Sequence, residues 1–276
     1  MKLKNLKKRF SPIFSQSGQL KLMDKKNAAK GDKHERLFSN TIKNELSVLS
    51  KLKEYFGIDG GLAKAYPTGS AGGKADVILS FTGGKHLSAN VKSFGKVGVN
   101  QATRGTVHSF VDHCNLPDLS ALLEQAVVRK SRKGRVILDS DKEYVYKSLA
   151  PKAKSIVQFA LARIERPELL VLYDNVANIM YLYDLSALLE DLSYEVTFSK
   201  PGNIMIGEYF LFHRKGGDGN DTRFEKTSSK HPGNDLAVKL LCRKYIANNE
   251  PIVSYKPNEK KSTLEAVSVT PSLKKN

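Results

Sequence analysis

The chain has no tryptophan, only two cysteines, no long apolar run and too few acids for its bases. Cys114 and Cys242 cannot supply a four-ligand zinc cluster or a disulfide scaffold, and they fit a reducing cytoplasm. No stretch reaches the roughly eighteen apolar residues a membrane helix needs. The N-terminus, Met1-Lys2-Leu3-Lys4-Asn5-Leu6-Lys7-Lys8-Arg9, also lacks the apolar segment of a secretory signal. The expectation is a soluble cytoplasmic protein with no membrane partner. Against 28 Asp and Glu stand 45 Lys and Arg, a net charge of +17. Such an excess attracts polyanions, because each neutralised phosphate releases counterions and long-range attraction speeds encounter. Charge alone leaves DNA, RNA and anionic lipid open.

With 276 residues, 40% of them hydrophobic, the chain can bury one proper core, and it shows no internal repeat. Residues 1–29 form a basic arm: within 1–30 nine Lys or Arg face a single acid, Asp24. Residues 30–250 read as one domain, and 251–276 as a C-terminal tail without clear period. Leu37, Ile42, Leu46, Leu49 and Leu52 predict a helix over 33–56, broken at Gly57 and Gly60-Gly61. Further helices are expected at 120–128, 151–163 and 185–192. Two hairpins are expected, 75–81 with 86–92 and 168–174 with 179–184, and single strands at 203–212 and 235–241. Strands and helices without regular alternation indicate an α/β (α+β) domain, a mixed sheet flanked by helices.

The first hairpin carries the chemistry. Asn90-Val91-Lys92 follows Asp76 by fourteen residues. Strand alternation puts Asn90 and Lys92 on one face, where an antiparallel partner can bring Asp76 beside them. An attacked phosphodiester is anionic and repels hydroxide, so a divalent cation must neutralise charge and activate water. Hard oxygens suit magnesium. Asp76 offers the anionic ligand, the Val91 carbonyl and the Asn90 amide oxygen neutral ones, and Lys92 a group to position or activate the attacking water. His108 and His113 flank Cys114 without any zinc-site spacing and are assigned no role.

Four segments, in order, resemble the PD-(D/E)xK nuclease superfamily. They are Lys30-Gly31-Asp32-Lys33-His34-Glu35, Thr68-Gly69-Ser70 through Lys74-Ala75-Asp76-Val77, Asn90-Val91-Lys92 through Arg104, and Arg214-Lys215-Gly216-Gly217-Asp218-Gly219 with Asn234 to Leu240. Within the superfamily the pattern is similar to type II restriction endonucleases that cut short GC-rich palindromes, the HinP-type enzymes that cut within GCGC and, more distantly, the MspI-like ones.

The resemblance implies magnesium-dependent cleavage of both strands of double-stranded DNA, with manganese substituting, and a companion DNA methyltransferase. A palindromic target implies either a homodimer or a monomer that cuts one strand at a time. Glu35 would reach the metal site from the first helix. Asn90 stands where most relatives carry a carboxylate or Gln, and Val99 where the HinP-type enzymes carry Phe.

Asn100, Gln101 and Arg104 follow the catalytic strand closely enough to enter a groove. Arg214, Lys215 and Asp218, beside the permissive Gly216 and Gly217, offer a second reading element. Lys74, Lys96 and Lys239 suit phosphate contacts, which position without specifying. The same core would also serve a repair or structure-selective nuclease, and a non-catalytic DNA-binding protein would show decay at Asn90.

Overall fold

The computed structural model describes residues 31–68, 75–131, 134–162, 167–217, 221 and 223–257. The basic arm, Lys74, Asp218 and the end of the predicted tail lie outside them. The predicted helix over 33–56 is two helices, α1 (31–44) and α2 (Leu46–Phe56), parted at Glu45 with φ −114° and ψ 87°. The break corrects the phase of the apolar stripe. Leu37, Phe38 and Ile42 are buried on α1; beyond the break Val48, Leu49 and Leu52 are buried, and Leu46 is turned out, 75% exposed. Gly57, φ +56°, ends α2 by donating its N–H back to Glu54 O.

Six strands form the first sheet in the order β1 (Leu62–Pro67), β2 (Val77–Phe81), β3 (His86–Phe94), β5 (Leu169–Asp174), β6 (Ile179–Asp184) and β11 (Val253–Tyr255). β3 and β5 are parallel; the other pairs are antiparallel. Both predicted hairpins are present. In the second, Asp174 Oδ1 accepts the Val176 and Ala177 N–H groups, and Asn178 takes φ +55°. A second sheet runs β4 (Asn100–Gly105), β10 (Leu236–Leu240), β9 (Phe210–Arg214), β8 (Ile204–Ile206) and β7 (Val196–Phe198), all antiparallel. The result is a mixed α/β fold whose central sheet is flanked by helices.

The first sheet parts two cores. Leu87, Ala89, Val91, Leu169 and Val171 pack with the buried residues of α1 and α2. Leu170 and Leu172 join a larger core with the inner face of the second sheet and with α3 (Val107–Cys114), α4 (Ser120–Ser131), α5 (Lys142–Leu149), α6 (Ala153–Leu161), α7 (Leu185–Asp191) and α8 (Cys242–Asn248). In register, Asn90 lies beside Leu170 and Lys92 beside Leu172, so both polar residues belong to the larger core's side. Glu168 anchors the entry to β5: its Oε2 accepts both the N–H and the hydroxyl of Ser88, at 2.7 Å each.

Two expectations are corrected. The predicted strand 203–212 is a hairpin, β8 and β9, because Gly207 takes φ +53° at the turn. A Cβ there would lie 2.2 Å from the Ser193 carbonyl, so only glycine fits. The tail assigned after Pro251 also contains structure. Val253–Tyr255 pair with Met180–Leu182 as β11, with Val253 buried, and this short edge strand has too few residues to show a period.

Candidate active site

Asp76 sits one residue before β2, held by its own backbone. Its N–H donates to Ala89 O (2.8 Å), its carbonyl accepts from Thr68 N (3.0 Å), and the Thr68 hydroxyl bonds Ala75 O (2.6 Å). The Val77–Ala89 pairing then brings the Asp76 carboxylate against the next residues of β3. Oδ2 accepts the Val91 N–H at 2.7 Å and the Lys92 ammonium at 3.2 Å; the same ammonium lies 3.3 Å from Val91 O. Both side chains are largely buried, Asp76 with 19% and Lys92 with 14% of its surface open. This is a charge-assisted cluster with little solvent screening.

Glu35 belongs to the same field. Its carboxyl, half-buried on α1, is pushed up from 4.5 to about 7, first by burial, then by the carboxylates of Asp76 and Asp32, against the pull of Lys92 and Arg36. The raised Glu35 pKa reports an excess of negative charge that the Lys92 ammonium does not cancel, and such a field favours a further cation. Among the described residues no group of three or more His, Cys, Asp or Glu is placed to hold a metal ion; Asp76 and Glu35 are the two acids expected from the sequence, and they share one field. The two neutral oxygens expected from the sequence are the Val91 carbonyl, which lies 3.3 Å from the Lys92 ammonium, and Asn90 Oδ1, which is fully buried and accepts no hydrogen bond. Asn90 Nδ2 donates to Leu161 O, on the last turn of α6, at 2.6 Å, and that bond fixes which way the amide faces. A buried amide oxygen without a donor and a carboxylate are both hard oxygen donors, the kind that suit magnesium, an ion that keeps several of its own waters.

Downstream, the β3–β4 turn is clamped from α8. Arg243 donates from Nη1 to Lys96 O (2.9 Å) and from N to Gly98 O (3.0 Å), and Gly98 takes φ +74° under the Arg243 side chain. Lys96 is exposed at the tip. Asn100 turns inward, donating from Nδ2 to Ser93 O at 2.7 Å, and so ties β4 to β3.

The outer face of the second sheet gathers several of the remaining predicted contacts. Register sets Gln101 beside Lys239 and Arg104 beside Ala237, whose other neighbour is His213, while Leu236, Val238, Leu240, Phe210 and Phe212 fill the core behind them. Gln101 and Arg104 are exposed. Arg214, half-buried at the end of β9, donates from Nε to Asn234 Oδ1 at 2.6 Å. Lys215 N bonds Asp235 O at 2.7 Å, and Gly216 N bonds Gly233 O at 3.0 Å. The loop at 231–235 thus holds the predicted reading turn. Neither Asn234 nor the buried His231, which accepts from Gly233 N, was singled out from the sequence; a His-Pro-Gly-Asn run before a strand was the available signal.

His213 adds a measurable property to this face. Burial first, then the nearby Lys239 ammonium, pushes its pKa from 6.5 down to about 4. The folded protein therefore keeps His213 neutral where the unfolded chain takes up a proton, so stability is lost as pH falls from about 6.5 toward 4 and levels off below that. Between pH 7.5 and 4.5 this group is expected to cost the fold about 2–3 kcal/mol. Urea midpoints at the two pH values should move closer together in His213→Gln; an unchanged gap would remove His213 as the cause.

No protein-family model matches the chain, and no curated protein matches it. Among the described residues no helix is long and apolar enough to cross a membrane. Among solved structures, the restriction endonuclease MspI in complex with its cognate DNA is similar to 74% of this chain and 80% of its own, with a TM-score of 0.45 and 14% identity.

Proposed function

We propose that this protein is a magnesium-dependent, site-specific nuclease of double-stranded DNA, a type II restriction endonuclease cutting a short GC-rich palindrome. The observation that carries the reading is the Asp76 carboxylate, joined to Lys92 and the Val91 amide within 3.2 Å, with Glu35 in its field and Asn90 Oδ1 buried without a donor. Asp76, Asn90 and the Val91 carbonyl would hold the ion, with Glu35 in an outer shell or at a second ion. Magnesium, with manganese as its substitute, would supply charge neutralisation at the phosphate and a more acidic water.

The chain's own groups do the rest. Lys92, anchored between Asp76 Oδ2 and Val91 O, orients the attacking water and stabilises the hydroxide as its proton leaves. Water oxygen bonds to phosphorus as its proton passes to solvent, the phosphorus–oxygen bond opposite breaks, and the leaving oxygen takes a proton from solvent. Gln101 and Arg104 on the outer face of the second sheet, with Arg214 and Lys215 at the end of β9, and with Asp218, would read base edges. Lys74, Lys96 and Lys239 would hold phosphates. Asn100, whose Nδ2 donates to Ser93 O, would set the strand for Gln101. Such an enzyme would act as a homodimer or cut one strand at a time, and would work in a restriction-modification system with a methyltransferase that protects the same site.

Incubating the purified protein with plasmid DNA and magnesium tests the proposal. Discrete fragments with uniform ends are expected, and sequencing those ends gives site and stagger together. Random nicking, or indifference to intact duplex, would replace the reading with a repair or structure-selective nuclease; binding without cleavage in magnesium and in manganese would replace it with a non-catalytic module.

A further inference from the structure

Away from Asp76, a cavity of about 700 Å³ opens between the end of α2, β6, α7, the β8–β9 turn and α8. Its lining shares no residue with the candidate active site. In a chain of net charge +17, no Lys or Arg lines it, yet Asp184, Asp191, Glu208 and Glu250 do. Its walls are aromatic. Tyr183, Tyr245 and Tyr209 stand edge to face in series, with centroids 5.0 and 5.2 Å apart, and Tyr55 faces the cavity from α2. Tyr245 is 96% buried, and its hydroxyl makes no hydrogen bond with a described residue.

We infer that this cavity is a binding site for an alkylammonium group. Tyrosine faces carry the negative end of the ring quadrupole and attract cations, carboxylates supply charge, and the Tyr245 hydroxyl supplies an acceptor. The wall already shows the chemistry at its edge: Lys244 Nζ lies 3.3 Å from Glu208 and 5.8 Å from the Tyr209 ring centroid. Asp191 and Glu250 are exposed and form no ion pair with a described residue, so the far side stays anionic. A primary amine on a flexible methylene chain fits: its stem lies along the rings while its head reaches the carboxylates. Two sources share that chemistry, a free linear diamine or polyamine and the lysines of the chain's own basic arm.

The chain has no tryptophan, and four of its eleven tyrosines line the cavity, so tyrosine fluorescence responds to occupancy of the site. Titrating 1,5-diaminopentane into the full-length protein at constant ionic strength should give a saturable change that 1-pentanol does not. The exposed pair Asp191→Asn with Glu250→Gln should weaken binding about tenfold. Tyr245→Phe, which keeps the ring and removes the hydroxyl, should weaken it less. If the arm supplies the ammonium, neutralising Lys21, Lys25, Lys26 and Lys30 to Gln will tighten diamine binding; if a free amine does, it will leave binding unchanged. No saturable response in either background, or an equal response in the Asp191→Asn, Glu250→Gln protein, overturns the inference. None of these readouts depends on DNA cleavage.

Discussion

Lys92→Ala is expected to slow duplex cleavage by about 10³-fold or more while leaving affinity for the same duplex within a few-fold of wild type. The ammonium is one of many cations in a chain of +17, so its loss subtracts little from the attraction to DNA. It is, however, the group that bridges Asp76 Oδ2 and Val91 O, and alanine leaves the water without a positioned donor. Asp76→Asn should be at least as damaging to turnover, since an amide can still accept the Val91 N–H but carries no charge for a cation. Single-turnover cleavage and filter binding on one duplex separate the terms. If Lys92→Ala cleaves at the wild-type rate, Lys92 has no part in the chemistry; if binding and cleavage fall together with a lowered unfolding midpoint, the cluster is structural. Asn90→Asp gives a finer contrast, because it keeps an oxygen near the site but cannot donate to Leu161 O, so a gain in metal affinity would come with a loss of stability.

The hairpin that carries Asp76 and Lys92 was legible because its signals are local. β-Branched and aromatic alternation, a Gly-Gly turn and the period of two together place Asn90 and Lys92 on one face. Glu35 was reached only through resemblance: a lone acid in a helical repeat has no sequence mark that it faces an aspartate forty-one positions away. β4 escaped for a different reason. Asn100–Gly105 is polar, only Ala102 and Thr103 are buried, and the strand exists because β10 pairs with it. Asn100 reads as a groove residue by type and position, and the bond from its Nδ2 to the Ser93 carbonyl is visible only in the fold. Pairing between distant segments decides such cases, and no local window contains it.

The proposed reading turn supplies the other large effect, through a residue with no role in chemistry. Asn234→Ala is expected to destabilise the protein by about 3 kcal/mol and to remove most of its preference for specific over nonspecific duplex. Asn234 is fully buried and bonds through both side-chain polar atoms: Oδ1 accepts from Arg214 Nε at 2.6 Å, and Nδ2 donates to Lys226 O at 2.9 Å and Ser228 O at 2.6 Å. Alanine leaves a half-buried guanidinium without its acceptor and two carbonyls without their donor. Burial has already lowered the Arg214 pKa, so this cation is costly to leave unpaired. Asn234→Asp divides the effect, because a carboxylate holds Arg214 but sets an oxygen against the Lys226 and Ser228 carbonyls. Its urea midpoint should fall between wild type and Asn234→Ala, with duplex preference largely kept. Were Asn234→Ala as stable as wild type, the 231–235 loop would not be what holds Arg214 and Lys215. If Asn234→Asp lost as much preference as Asn234→Ala, the loop's carbonyl anchors, and not the Arg214 contact, would set the reading turn.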